Sequence, residues 1–133
     1  MPYRTLLVED ESLLLMLLED MLPELGFDVA QSAATTESAL AAVESREFDA
    51  AILDVNLAGV ASYPVADALA AKGIPFLFAT GYGTAALPER FSGRPILEKP
   101  YGRQQLETAL HALMRPVEGG MPDPMSAGVE PAA

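Results

Sequence analysis

The stretch YRTLLVEDESLLLMLLEDMLPELGFDVAQ, Tyr3–Gln31, sets a pattern that the rest of the chain repeats. Tyr3 to Val8 is a short apolar run of strand character, and the acidic Glu9, Asp10 and Glu11 follow it at once. Ser12 to Leu25 then reads as a helix, stopped by Leu25-Gly26-Phe27 with the glycine at its C-terminal cap. Phe27 to Gln31 alternates like a second, more exposed strand. Ser32 to Thr36 supplies caps for a helix to about Glu47, and the unit recurs as a strand over Ala50–Leu53, a helix over Ser62–Lys72 and a strand over Ile74–Ala79. A short helix over Thr84–Phe91, a fifth strand over Arg94–Leu97 and a last helix over Gly102–Arg115 complete the series, the last with Leu106, Leu110, Leu113 and Met114 at helical spacing.

Short apolar strands alternating with amphipathic helices, without hairpin turns between them, predict a parallel sheet covered on both faces. The fold class is α/β: a doubly wound five-stranded parallel sheet, flavodoxin-like (βα)5, with strand order 2-1-3-4-5. In such sheets ligands bind outside the carboxyl ends of the strands, where strand order reverses. Glu9 and Asp10, Asp54, Thr80 and Lys99 all stand just past the ends of apolar runs. Together they offer three carboxylates, a hydroxyl and an ammonium at one edge.

That set suits Mg²⁺-dependent phosphoryl acceptance. An Asp54 carboxylate oxygen can attack phosphorus and form an acyl phosphate, provided the incoming dianion is neutralised. Mg²⁺ takes an octahedral oxygen shell of carboxylates, waters and a phosphate oxygen. Asp10, Asp54 and the backbone carbonyl of Asn56 supply the protein share, with Glu9 acting directly or through water. Lys99 is a compact charge for a second phosphoryl oxygen, and the Thr80 hydroxyl donates to a third. Singly, each residue has a plainer reading as a helix-start acid, a turn former or a solvated cation. Their conjunction, in a chain whose only other lysine is Lys72, favours the site.

The bulk properties agree. The chain has 133 residues, enough for one domain, taken as residues 1–116, followed by a Gly/Pro-rich tail at 117–133 that reads as disordered. The longest apolar run, Leu13 to Leu18, is six residues, far short of the roughly 20 that span a bilayer. Arg4 is the only early cation and acids stand where a signal peptide's apolar region would begin, so a cytoplasmic protein with no membrane contact is expected. There is no cysteine, which removes disulfides and thiolate chemistry, and the net charge of -11 disfavours nucleic acid.

Four motifs give the chain a family likeness: LLVEDE (Leu6–Glu11), AAILDVNLAG (Ala50–Gly59), PFLFATGYG (Pro75–Gly83) and LEKPY (Leu97–Tyr101). Over roughly residues 3 to 115 it resembles the receiver domains of bacterial two-component response regulators. The resemblance implies that Asp54 accepts phosphate from a phosphohistidine of a histidine kinase or histidine phosphotransfer protein. It further implies Glu9 and Asp10 as Mg²⁺ ligands, Thr80 as a switch hydroxyl, Lys99 as the phosphate-binding lysine and a cis Lys99–Pro100 bond. PFLFATGYG with LDVNLAG is similar to the FATGUY class, often single-domain proteins partnered with HWE or HisKA2-type kinases. Many receivers carry an aromatic switch three residues before the lysine, where this chain has Ile96. Tyr82 or Tyr101 is therefore a candidate to report phosphorylation instead, with Gly81 and Gly83 freeing the loop to close over a phosphate.

The first helix carries a second hint. Leu14, Leu17, Leu18, Met21 and Leu25 follow helical spacing and are expected to face the sheet, which leaves Leu13, Leu15 and Met16 as a partner surface for a kinase helical bundle or as ground covered by the last helix or the tail. His111 is expected on the surface. The leading function is a single-domain response regulator that catalyses only its own phosphorylation and dephosphorylation, acting by protein contact or as a phosphate sink. A phosphorylation-independent adaptor is the alternative. A haloacid-dehalogenase-type phosphatase lacks its second acid, since Asn56 stands there, and a flavin phosphate would be repelled by Glu9, Asp10 and Glu11.

Overall fold

The computed structural model describes residues 2–81 and 87–114. In chain order these form β1 (Tyr3–Val8), α1 (Ser12–Glu24), β2 (Phe27–Ala33), α2 (Thr36–Ser45), β3 (Ala50–Asp54), β4 (Asn56–Leu57), β5 (Val60–Ala61), α3 (Tyr63–Ala71), β6 (Phe76–Thr80), a 3-10 turn (Glu89–Phe91), β7 (Ile96–Glu98) and α4 (Arg103–Met114). Five strands pair in parallel in the order β2-β1-β3-β6-β7. Leaving out the short β4 and β5, this is the expected 2-1-3-4-5 order.

Alternation along each central strand divides the core between the two faces. Leu6, Val8, Leu53, Phe76 and Phe78 point to the α2 and α3 side, where Val43, Val65, Leu69 and Phe91 meet them. Leu7, Ile52 and Leu77 point the other way, against Leu18 and Leu22 of α1 and Leu106 and Leu110 of α4. Period-two side chains with helices on both sides explain why every residue of β3 and β6 is buried. α2 opens on a reciprocal capping box, Thr35 Oγ1 accepting from the Ser38 amide at 3.1 Å and Ser38 Oγ accepting from the Thr35 amide at 3.3 Å. α1 closes on Gly26, whose φ of 90° suits a residue without a Cβ.

Several expectations need correction. β6 and β7 begin at Phe76 and Ile96, later than read, because Pro75 and Pro95 have no amide for the ladder; their carbonyls still accept, from Ala51 at 3.0 Å and Phe78 at 3.1 Å. β2 runs on to Ala33, since β1 keeps pairing with it through Val8. Of the expected helix over Thr84–Phe91, residues 84–86 lie outside the described residues and Glu89–Phe91 is a single 3-10 turn. The tail from residue 115, the 116/117 domain boundary, Tyr82 and Gly83 also lie outside them. A hairpin does occur: β4 and β5 pair antiparallel, Asn56 with Ala61 and Leu57 with Val60, around Ala58 and Gly59 at φ of 53° and 89°. Two central residues of positive φ are what a tight two-residue hairpin turn requires.

The stripe of α1 is also different. Leu18 and Leu22 are buried and Leu15, Met21 and Leu25 pack partly buried beside them, whereas Leu17 is 49% exposed. Leu15 therefore belongs to the core. The exposed set is Leu13, Met16 and Leu17, spaced i, i+3, i+4 on one face. His111 is exposed, as expected.

Candidate functional site

The parallel register carries the polar residues to one edge. Val8 lies beside Leu53, Asp54 beside Ala79 and Thr80 beside Glu98, so the positions just past β1, β3, β6 and β7 share one rim. Backbone hydrogen bonds extend the ladders beyond the strands: Glu9 donates to Ala33 at 3.0 Å, Val55 to Ala79 at 3.0 Å and Lys99 to Thr80 at 2.8 Å. The Lys99–Pro100 bond is cis, as the family likeness implied.

Asp54 is 5% exposed, yet both carboxylate oxygens are engaged. Oδ1 accepts from the Asn56 amide at 3.2 Å, and Oδ2 lies 3.0 Å from Lys99 Nζ. Lys99 also reaches Glu9 Oε1 at 3.3 Å and Glu11 Oε1 at 3.8 Å. Glu9, 3% exposed, accepts from the Glu11 amide at 3.2 Å. Asp10 is exposed at the mouth, and carboxylate oxygens of Glu9, Asp10 and Asp54 lie within 4.8 Å of one another. Thr80 is buried at the end of β6.

Such crowding has a charge cost. Burial, and then the Asp54 carboxylate, push Glu9 up to about 7, against the Glu11 amide and Lys99, which favour its charged form. For Lys99, burial works against the charge, but the hydrogen bond to Asp54 and the fields of Asp54 and Glu9 outweigh it and the net shift is upward. One ammonium among three close acids leaves the cluster short of positive charge. An all-oxygen donor set, two parts buried and one open to the mouth, fits a hard divalent cation, and among the described residues Glu9, Asp10 and Asp54 are the acids that would hold Mg²⁺.

Beyond Lys99 lies a cavity of about 710 Å³ lined by Glu11–Leu14, Leu17, Lys99, Pro100 and Tyr101. The Tyr101 hydroxyl is buried with no hydrogen-bond partner. Burial, followed by the charges of Glu9, Asp54 and Glu11, drives its ionisation above the usual range. Tyr101 thus sits beside the acid cluster, and Leu13 shares its cavity; Leu15 does not.

Two further residues belong to the site. Glu11, read from the sequence only as part of an acidic cluster, joins the Lys99 ion-pair group. Ser62 is fully buried and its hydroxyl donates to the Asp54 carbonyl at 2.6 Å. Its position at a helix start would signal a cap, and it makes no cap hydrogen bond with its side chain. Nothing local in the sequence points to its longer-range contact.

Comparison with known proteins gives the family and the fold. Residues 5–111 match the family model described as response regulator receiver domain. The chain is 34% identical over 128 residues to the transcriptional regulatory protein TcrA of Mycobacterium tuberculosis, covering 91% of this chain and 49% of that protein, so it spans about half the length of the curated relatives it matches. The solution structure of SdrG from Sphingomonas melonis Fr1 is 48% identical, with a TM-score of 0.75 over 84% of this chain and 96% of that one. The receiver domain of the sensor histidine kinase PA1611 from Pseudomonas aeruginosa PAO1, solved with magnesium in its active-site cleft, is 25% identical with a TM-score of 0.70, covering 85% of this chain and 98% of that one.

Proposed function

The chain belongs to the response regulator receiver domain family of two-component systems, and from that membership and the site we propose that Asp54 accepts a phosphoryl group from a phosphohistidine. The donor is a histidine kinase, of HWE or HisKA2 type, or a histidine phosphotransfer protein. The observation that carries this reading is Asp54 itself: a nearly buried carboxylate held by the Asn56 amide and Lys99, with Glu9 and Asp10 alongside.

In the transfer an Asp54 oxygen forms the bond to phosphorus as the N–P bond of the phosphohistidine breaks. The imidazole leaves with the bonding pair and takes up a proton. Lys99 shifts its ammonium from Asp54 to a phosphoryl oxygen, and the Thr80 hydroxyl donates to another. Glu9, Asp10, Asp54 and the Asn56 carbonyl would hold Mg²⁺, which when bound supplies positive charge against the phosphoryl oxygens. Hydrolysis of the acyl phosphate releases inorganic phosphate and returns Asp54 to its carboxylate, so the chain catalyses only its own phosphorylation and dephosphorylation. Thr80, Tyr82 and Tyr101 are the switch candidates of a FATGUY-type receiver, and Leu13, Met16 and Leu17 form the kinase-docking surface. The signal then passes by protein contact or is drained as a phosphate sink, in the cytoplasm, with no nucleic acid or membrane involved.

Ile96 favours one other reading, a phosphorylation-independent adaptor, because it packs partly buried against the core with no ring or hydroxyl to respond. Incubation with acetyl phosphate and Mg²⁺, followed by intact mass, separates the two. Wild type is expected to gain one phosphoryl group that chelation prevents and Asp54→Asn abolishes. A wild type left unlabelled by both acetyl phosphate and a phosphorylated kinase leaves the adaptor.

A further inference from the structure

We infer that Ser62 is a positioning residue for the phosphoacceptor, clamping the base of the 56–61 hairpin so that Asp54 and Asn56 are held in one geometry. The inference rests on the phosphoryl-acceptor reading above.

A serine ahead of a helix ordinarily spends its oxygen on the helix's free amides. Ser62 does not: its hydroxyl donates to the Asp54 carbonyl at 2.6 Å, eight residues back, and its amide donates to the Val55 carbonyl at 2.9 Å. The two bonds tie the end of the hairpin to the peptide units on either side of Val55, just ahead of its start. Between them Asn56 donates its amide to Asp54 Oδ1, and its own Oδ1 accepts from Gly59 at 2.6 Å. The loop is thus closed twice, once at its base by Ser62 and once at its tip by Asn56.

The base bond is fully buried. Without the hydroxyl, the Asp54 carbonyl would lose that buried partner, and an unpaired buried group is costly. Turning the Asp54–Val55 peptide towards another donor works against the Val55 amide's bond to Ala79 at 3.0 Å, and the resulting displacement passes to the Asp54 carboxylate and the Asn56 backbone on either side. Groups that orient a metal ligand from behind typically change affinity by ten- to hundredfold when removed. Ala58 adds reason for an external clamp, because an L-residue at φ of 53° does not favour this turn by itself.

The test compares Ser62→Ala with Val43→Ala, a buried substitution in α2 whose carbonyl accepts Lys72 Nζ at the C-terminal end of α3, away from Asp54. Mg²⁺ affinity by calorimetry and amide hydrogen exchange in chelator are measured on the whole chain. Ser62→Ala is expected to weaken Mg²⁺ binding by about tenfold and to speed exchange at the Gly59 and Ser62 amides, while Val43→Ala loses thermal stability and changes neither. Wild-type affinity and exchange in Ser62→Ala, or equal losses in both variants, overturn the clamp while wild-type Mg²⁺ binding and labelling of Asp54 stand. A wild type that neither binds Mg²⁺ nor is labelled overturns the acceptor reading and the clamp together.

Discussion

The two walls that flank Lys99 are built to different standards. On the hairpin wall the polar groups around Asp54 are paired within the chain: its carbonyl with Ser62, one carboxylate oxygen with Asn56, and the Asn56 side chain with Gly59. On the α1 wall the Tyr101 hydroxyl is buried without a partner, Leu13 and Leu17 stand 71% and 49% exposed in the same cavity, and Met16 of the same helix face is 60% exposed. A nucleophile has to be in place before its substrate arrives, and local hydrogen bonds achieve that in the free protein. A surface that answers to a partner gains by leaving apolar area and a hydrogen bond unspent until that partner docks.

The largest effect separating the walls is expected from Met16→Glu. Met16 is exposed on the same face of α1 and does not line the cavity that holds Lys99, so the change places a charge in the apolar patch away from the acceptor groups. Burying a methionine contributes about 1.5–3 kcal/mol, so phosphotransfer from a histidine kinase should fall by roughly ten- to hundredfold. Labelling by acetyl phosphate, which needs no docking surface, should stay at the wild-type rate. Equal loss with both donors would mean that the α1 wall serves the acceptor site rather than a protein partner.

The acids between the walls give the next effect, in stability. Glu9 is raised from 4.5 to about 7, so the metal-free folded protein holds a proton that the unfolded chain has released over that interval. Stability in chelator should therefore fall as pH rises from about 4.5 to 7, by an amount of order 2 kcal/mol. Urea midpoints at pH 5 and pH 7.5 should converge in Glu9→Gln, which stays neutral, and in wild type with saturating Mg²⁺. A wild-type slope that persists unchanged in Glu9→Gln would assign the strain to another acid.

How much of this could be read in advance follows from what each residue interacts with. Asp54, Thr80 and Lys99 were legible because a parallel sheet puts the residue after every apolar run on the same rim. The doubly wound parallel sheet was legible for a similar reason: alternation of strand and helix leaves few windings. α1 misled because SLLLMLL is apolar all round, so helical period alone allows two stripes; Leu22 and Leu25, packed under β2, select the one through Leu15 and Leu18. The hairpin gave no signal, since Ala58 occupies a left-handed position where Asn or Gly would have announced a turn. Ser62 was hidden in the same way, its residue type fitting a cap while its hydroxyl reaches Asp54.

Tyr101 separates a finished wall from a waiting one by the smallest effect. If its hydroxyl serves nothing in the free protein, Tyr101→Phe removes an unsatisfied buried group and should raise stability by about 1 kcal/mol, read as a shift in urea midpoint. If the same hydroxyl meets an acceptor once Asp54 is phosphorylated or a partner docks, the variant should lose affinity for that partner by roughly fivefold to tenfold, the worth of about one hydrogen bond. The two measurements move in opposite directions only for a switch. A stability gain with unchanged binding makes Tyr101 a packing ring, and leaves the response to Thr80 and to residues on the α1 surface.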